Sequence, residues 1–257
     1  MSRLNNLFKQ KKKGILNVYC TAGYPHLNST LEIMEALQES GADIIELGIP
    51  YSDPLADGPV IQASGSRALE NGMSIPVLIE QLKDMRQSIT IPVVLMGYMN
   101  PVLQYGFERF CRDVTAAGVD GLILPDLPLY EFKQEYARIV KEYELDFIFL
   151  ITPETSADRI RQLDNASTGF IYAVSSSSTT GGDLSVQANT NYFQRLEKMQ
   201  LRNPVLIGFG IKDKNSFDTA CAYASGAIIG SAYIRELERS KSPREATRAF
   251  IASVKGT

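Results

Sequence analysis

The alternation of short apolar runs with longer amphipathic ones constrains this chain more than any other feature. Eight short, β-branched-rich runs cover residues 15–20, 43–48, 92–97, 120–124, 146–151, 169–174, 204–208 and 227–230. Between them the apolar residues change period. Ile75, Leu78, Ile79, Leu82 and Met85 recur at spacings of three and four, which places them on one face of a helix. Residues 130–143, 156–163, 189–199, 213–224 and 242–254 follow the same pattern. Ser29 with Glu32 three positions on has the form of a capping box ahead of Leu31, Met34 and Leu37. Strands alternating with helices imply βαβ units and a parallel sheet. Three junctions, Ser40-Gly41-Ala42-Asp43, Ala117-Gly118-Val119-Asp120 and Ser225-Gly226-Ala227-Ile228, repeat one plan. In each, glycine stands where a helix ends and suits a left-handed C-cap. Eight such units in 257 residues match a (β/α)8 TIM barrel, whose usual size is about 250 residues. The competing open sheet would show GxGxxG after its first strand, whereas that turn reads Thr21-Ala22-Gly23-Tyr24-Pro25. No linker or composition shift divides the chain, so 1–257 is expected to form a single α/β barrel domain. Leu4, Leu7 and Phe8 predict an N-terminal helix covering one end, and 232–237 predicts a short extra helix.

Composition narrows the chemistry. The one histidine, His26, cannot furnish a multi-histidine metal site. Unless His26 is the base, no Ser-His-Asp or Cys-His arrangement is available. Cys20, Cys111 and Cys221 lie far apart with no metal-binding spacing, and read as reduced thiols in a cytoplasmic protein. With 26 Lys and Arg against 29 Asp and Glu, the net charge is −3, which leaves no basic footprint for nucleic acid. No apolar run approaches the roughly 18 residues of a membrane span, and the first residues lack the apolar stretch of a secretory signal. The work falls to carboxylates, hydroxyls, lysines and the backbone.

In a barrel, function belongs to the C-terminal ends of the strands and the loops that follow. Glu46 interrupts the second strand, Asp43-Ile44-Ile45-Glu46-Leu47-Gly48, where a parallel strand should be continuously apolar. Burying a carboxylate is costly and ordinarily raises its pKa. Glu46 is therefore a candidate catalytic group, the plain alternative being a hydrogen-bonded structural residue. The following loop, 49–59, is long for its type and carries Asp53 and Asp57. One or both are candidates to reach the barrel mouth, or else they only form turns. Gly208-Phe209-Gly210 and Gly230-Ser231 end the seventh and eighth strands. In such barrels these loops, with the N-terminus of a short helix, form a recurrent phosphate site. The loop 175–183, Ser-Ser-Ser-Ser-Thr-Thr-Gly-Gly-Asp, is small and polar, a candidate lid.

The run Glu46-Leu47-Gly48-Ile49-Pro50-Tyr51-Ser52-Asp53-Pro54-Leu55-Ala56-Asp57-Gly58-Pro59 resembles the signature of the tryptophan synthase alpha subunit family. The likeness continues through 21–25, Tyr98-Met99-Asn100-Pro101, Pro125-Asp126-Leu127-Pro128, Thr180-Gly181 and both glycine clusters. It implies cleavage of indole-3-glycerol phosphate to indole and glyceraldehyde 3-phosphate. By that resemblance Glu46 is the acid and base, and Asp57 pairs with the indole N–H and the charge developing on the ring. Tyr172 lies near Glu46, while Tyr98, Ile123 and Ile151 surround the ring. Thr180 belongs to the lid, and Gly181, Phe209, Gly210, Gly230 and Ser231 hold the phosphate. The resemblance further implies no cofactor in this chain, a beta subunit carrying pyridoxal phosphate, an α2β2 assembly, and passage of indole to beta through a tunnel. Asp53 and the 50–59 loop would face that partner. Members often carry Gly before the Val-Thr-Gly of the lid, where this chain has Ser178-Thr179-Thr180-Gly181. His26 has no role in the family chemistry and is expected at the surface. A non-catalytic activating subunit and a neighbouring phosphate-binding barrel enzyme are the alternatives; intact Glu46 and Asp57 weigh against both.

Overall fold

All eight expected strands form, and every pairing between them is parallel. The structure, a computed structural model, describes residues 2–175, 190–208, 210–240 and 242–256. The strands are β1 (Ile15–Thr21), β2 (Ile44–Gly48), β3 (Val93–Met96), β4 (Gly121–Ile123), β5 (Asp146–Phe147), β6 (Leu150–Ile151), β7 (Ile171–Val174), β8 (Val205–Gly208) and β9 (Gly226–Ile229). Their order in the sheet is β5-β4-β3-β2-β1-β9-β8-β7-β6. The two ends of that order, β5 and β6, are halves of the single expected strand 146–151. Ile148 N–H donates to Leu122 at 3.0 Å, and the carbonyl of Phe149 accepts from Tyr172 at 3.1 Å. The segment thus bonds to β4 on one side and β7 on the other, and the sheet closes into an eight-stranded barrel without a free edge.

The repeated junction has a common mechanism in two of its three occurrences. Gly41 and Gly118 sit at φ +95° and +93°, a left-handed conformation that L side chains resist. Each glycine turns the chain from a helix into the next strand. The Asp two residues on then accepts an N–H at the start of the preceding strand: Asp43 from Leu16 at 2.8 Å and Asp120 from Val93 at 2.8 Å. A cation closes each corner, Lys11 on Asp43 at 2.7 Å and Arg86 on Asp120 at 2.6 Å. The third junction differs from expectation. Gly226 is not a left-handed cap but the first residue of β9, and a Cβ there would lie 2.0 Å from the carbonyl oxygen of Ile15. Close approach of β1, not helix termination, selects glycine at that point.

The helix Arg3–Gln10 covers the N-terminal end of the barrel as predicted. Leu4 is fully buried, Phe8 packs its ring 6.1 Å from that of Phe170, and Arg3 reaches Asp120 at 3.0 Å. Burying a Leu and a Phe contributes about 1.5–3 kcal/mol each. Three details depart from the sequence reading. The helix Ser29–Glu39 starts at Ser29 itself with Asn28 as its cap and no side-chain cap bond, so the capping box does not form. The helix Pro59–Glu70 was not anticipated, because it buries Ser64, Gly65 and Ala68, which carry little apolar signal. The helix Phe107–Ala116, absent from the expected segments, buries Phe107, Phe110, Cys111 and Val114 at regular helical spacing.

Asp120 is the most demanding of these corner residues, since two arginines and a backbone N–H converge on a side chain only 3% exposed. Asp120→Ala is expected to lower unfolding free energy by about 3 kcal/mol or more. Arg3→Ala, on a half-exposed partner, is expected to cost about 1 kcal/mol or less. Urea denaturation of the two variants at neutral pH checks both.

Candidate active site

Two adjacent parallel strands carry polar side chains inside the barrel wall, against the apolar rule for such strands. β1 reads Ile-Leu-Asn-Val-Tyr-Cys-Thr and β2 reads Ile-Ile-Glu-Leu-Gly, and both are buried throughout. Side chains alternate along a strand, so Asn17, Tyr19 and Thr21 share one face of β1, and Glu46 and Gly48 share one face of β2. The register sets Asn17 beside Ile44 and Tyr19 beside Glu46. Asn17 Nδ2 donates to Glu46 Oε2 at 2.7 Å. Glu46 is 1% exposed. Burial pushes its carboxyl up to about 8; the Asn17 hydrogen bond pulls it down, and Asp57 adds to the rise.

Tyrosines fill the space around this carboxyl because glycine leaves room for them. A Cβ at Gly48 would lie 2.0 Å from the Tyr19 hydroxyl oxygen, and one at Gly208 would lie 2.5 Å from the Tyr172 ring. Any larger residue at either strand end would displace the ring. Burial holds both phenols well above the usual tyrosine range, with Asp57 next in effect at Tyr19 and Glu46 next at Tyr172. Thr21 Oγ1 lies 2.7 Å from Ser64 Oγ, which joins the top of β1 to the helix Pro59–Glu70.

Asp57 comes from the loop after β2 and is held over the mouth by Tyr98. The Tyr98 hydroxyl donates to Asp57 Oδ2 at 3.0 Å and accepts from Ala56 N–H at 3.1 Å. The Tyr98 ring is tilted by 33° against that of Tyr51, with centroids 5.4 Å apart, and Asn100 Nδ2 donates to the Tyr51 hydroxyl at 2.9 Å. Met99 N–H donates to the Asp126 carboxylate at 3.0 Å, which ties the segment after β3 to the loop after β4. Asp57 is less polar in its surroundings than a loop position suggests. Burial raises its pKa, and the bond from Tyr98 opposes that rise.

Glu46, Asp57, Tyr98 and Tyr172 are therefore brought together. Ile123 and Ile151, the last residues of β4 and β6, are fully buried at the same C-terminal rim. Gly210, at φ +75°, follows β8. Gly230 precedes the helix Ser231–Arg239 and offers no side chain to cap it; a helix N-terminus of this kind presents first-turn N–H groups of the sort that suit an anion. Thr180, Gly181 and Phe209 lie outside the described residues. Asp53 does not join the site; it is exposed and accepts from Ser52. His26 is exposed. Asn17 and Tyr19 have no part in the sequence reading, and Asp126 enters it only within Pro125-Asp126-Leu127-Pro128. Asn17 carried the same signal as Glu46, a polar residue in an otherwise apolar parallel strand. Among the described residues no cluster of three or more His, Cys, Asp or Glu is placed to hold a metal ion, and no helix is long and apolar enough to cross a membrane.

A carboxyl poised near neutrality in a dry interior suits proton transfer, and a second carboxylate in a different setting suits a separate task. The family model described as tryptophan synthase alpha chain matches residues 5–256. This chain belongs to the tryptophan synthase alpha chain family. A tryptophan synthase alpha chain from Parabacteroides distasonis is 50% identical over 257 residues, covering 99% of this chain and 100% of that one. One from Flavobacterium psychrophilum is 51% identical over 238 residues, 92% of this chain and 94% of its own. Among solved structures, tryptophan synthase subunit alpha from Legionella pneumophila superposes with a TM-score of 0.88 at 36% identity, covering 100% of this chain and 98% of that one. Tryptophan synthase from M. tuberculosis, in an aminoacrylate-bound form, gives 0.87 at 34% identity over 99% and 98%. The barrel is thus that of tryptophan synthase alpha chains.

The raised pKa of Glu46 has a stability consequence. A carboxyl whose folded pKa exceeds its unfolded value binds more protons in the folded state. Its contribution is complete below the unfolded pKa and is lost as pH rises through about 8. Glu46→Gln removes that loss. The variant is expected to match the parent near pH 5 and to exceed it by a few kcal/mol near pH 9, measured by urea unfolding at both values.

Proposed function

We propose that this chain cleaves indole-3-glycerol phosphate to indole and glyceraldehyde 3-phosphate, with Glu46 as acid and base and Asp57 as the electrostatic stabiliser. One observation carries the assignment: a fully buried Glu46, with its carboxyl near 8, in electrostatic reach of Asp57. At neutral pH such a carboxyl is mostly protonated and can give its proton to indole C3. The ring then carries positive charge, which the Asp57 carboxylate offsets through the indole N–H. The Glu46 carboxylate next accepts the proton of the C3′ hydroxyl as the C3–C3′ bond breaks. The bonding pair returns to the ring, the hydroxyl carbon becomes the aldehyde, and Glu46 ends protonated as it began. Tyr98 keeps Asp57 over the ring, Tyr172, Ile123 and Ile151 form its walls, and Gly210, Gly230 and Ser231 supply backbone N–H groups to the phosphate. Thr180, Gly181 and Phe209 complete the lid and phosphate loop in this reading.

The proposed setting is a cytoplasmic α2β2 complex in which residues 1–257 act as one barrel unit. The chain itself needs no cofactor, and pyridoxal phosphate belongs to the beta partner. Support for a partner-facing C-terminal rim comes from three exposed apolar side chains on the segments after β2, β3 and β4: Leu55, Leu103 and Tyr130.

Indole release from indole-3-glycerol phosphate, titrated with a beta subunit, tests the proposal. Glu46→Gln is expected to bind substrate yet lose cleavage almost completely, and parent-like turnover would remove Glu46 from the chemistry. Asp57→Asn is expected to lower kcat by about 10²-fold or more; an effect confined to KM would make Asp57 a binding group. Activation of beta with no cleavage by the parent chain would establish a non-catalytic subunit. Gly210→Val, at a positive φ, should chiefly weaken substrate and inorganic phosphate binding, and unchanged affinity for both would place the phosphate elsewhere.

A further inference from the structure

We propose that Asn17 is the positioning residue for Glu46, its side-chain amide bonding the carboxyl in both the ionised and the protonated state. The inference rests on the reading of Glu46 as acid and base. Asn17 is fully buried in the middle of β1, with Ile44 and Ile228 as its neighbours in register. An apolar side chain would fill that position without desolvating an amide. The bond to Glu46 is the one side-chain hydrogen bond Asn17 makes among the described residues, and its Oδ1 is buried there with no partner. Half of the amide's hydrogen-bonding capacity is thus held in reserve beside a group that must change state.

A primary amide presents a donor and an acceptor related by a half-turn about its terminal torsion, which is soft and roughly two-fold. With Glu46 ionised, Nδ2 donates to Oε2, as observed. With Glu46 protonated, the half-turn brings Oδ1 to the same place, where it accepts from the carboxylic O–H. No strand has to move. Among the described residues, the titratable groups in electrostatic reach of Glu46 are Asp57 from the β2 loop, Tyr19 on the same face of β1, Cys20 on the opposite face of β1, and Tyr172 from β7. None is a cation, so the Asn17 N–H is what favours the carboxylate when the base is required.

Removing that donor makes the charged form less favourable, so the Glu46 pKa rises. Asn17→Leu keeps the size of the side chain and removes both hydrogen-bonding atoms. Asn17→Ser is a smaller change that cannot span the distance and serves if the leucine variant does not fold. Glu46 titration is read directly by carbon-13 NMR of protein labelled at glutamate carboxyls, with Glu46→Gln assigning the resonance. Either variant is expected to move that titration up by about one unit. The alkaline limb of kcat/KM should move with it, and kcat should fall about tenfold or more while KM stays within about twofold. An unchanged titration and pH profile, with activity lost only in step with stability, would overturn the proposal. The NMR readout does not depend on turnover. An active Glu46→Gln would sink the catalytic assignment alone, whereas a static titration in the Asn17 variants would sink this one alone.

Discussion

A parallel strand carries backbone donors and acceptors along both edges, and residues 146–151 divide theirs between two neighbours. Ile148 bonds toward Leu122, and Phe149 bonds toward Tyr172. That division turns a row of strands into a ring, and a ring has an inside. Only because the wall is complete can Glu46 be screened from water, and only in a dry interior does one amide or one nearby carboxylate weigh heavily on its ionisation. The same closure separates the two ends of the barrel. The helix Arg3–Gln10 covers one end, and the loops after β2, β3 and β4 surround the other.

The rim is organised by hydrogen bonds that pass from loop to loop. Asp126 holds the backbone at Met99, the adjacent Tyr98 holds Asp57 and Ala56, and Asn100 holds Tyr51 within the same β2 loop. Loops are ordinarily the mobile part of a barrel. Here Asp57 is carried by a loop with three attachments to the segment after β3, two of which meet at the Tyr98 hydroxyl.

The barrel was legible because its signals are local and repeated. Strand runs, helical periods and Gly-x-Asp corners each recur, and the structure adds the physical reason the Asp belongs in that corner. Glu46 was legible because charge inside an apolar strand is rare, and Asp57 through its place in a long specific motif. Other features hid for definable reasons. The helix Pro59–Glu70 buries small residues that no hydrophobic period registers. Gly226 looked like its two counterparts, and only the carbonyl of Ile15 pressing on it separates their roles. The link from Tyr98 to Asp57 joins residues 41 apart, and nothing local in the sequence announces that pairing. Asn17 was readable by the logic applied to Glu46, but an uncharged residue draws less notice than an acid.

The glycines at the ends of β2 and β8 have a consequence for how the pocket responds to acidity. By admitting Tyr19 and Tyr172, they surround Glu46 with phenols that burial keeps in their O–H form, and burial likewise pushes the Cys20 thiol up to about 12. Across the range in which cells live, these neighbours act as fixed dipoles and hold no exchangeable charge. The interior therefore behaves as a capacitor with few plates: a proton arriving or leaving changes the charge of a carboxyl and of nothing else nearby. Among the described residues Asp57 is the other carboxyl that acts on Glu46, so a proton in the pocket is divided between two carboxyls and is taken by no phenol or thiol.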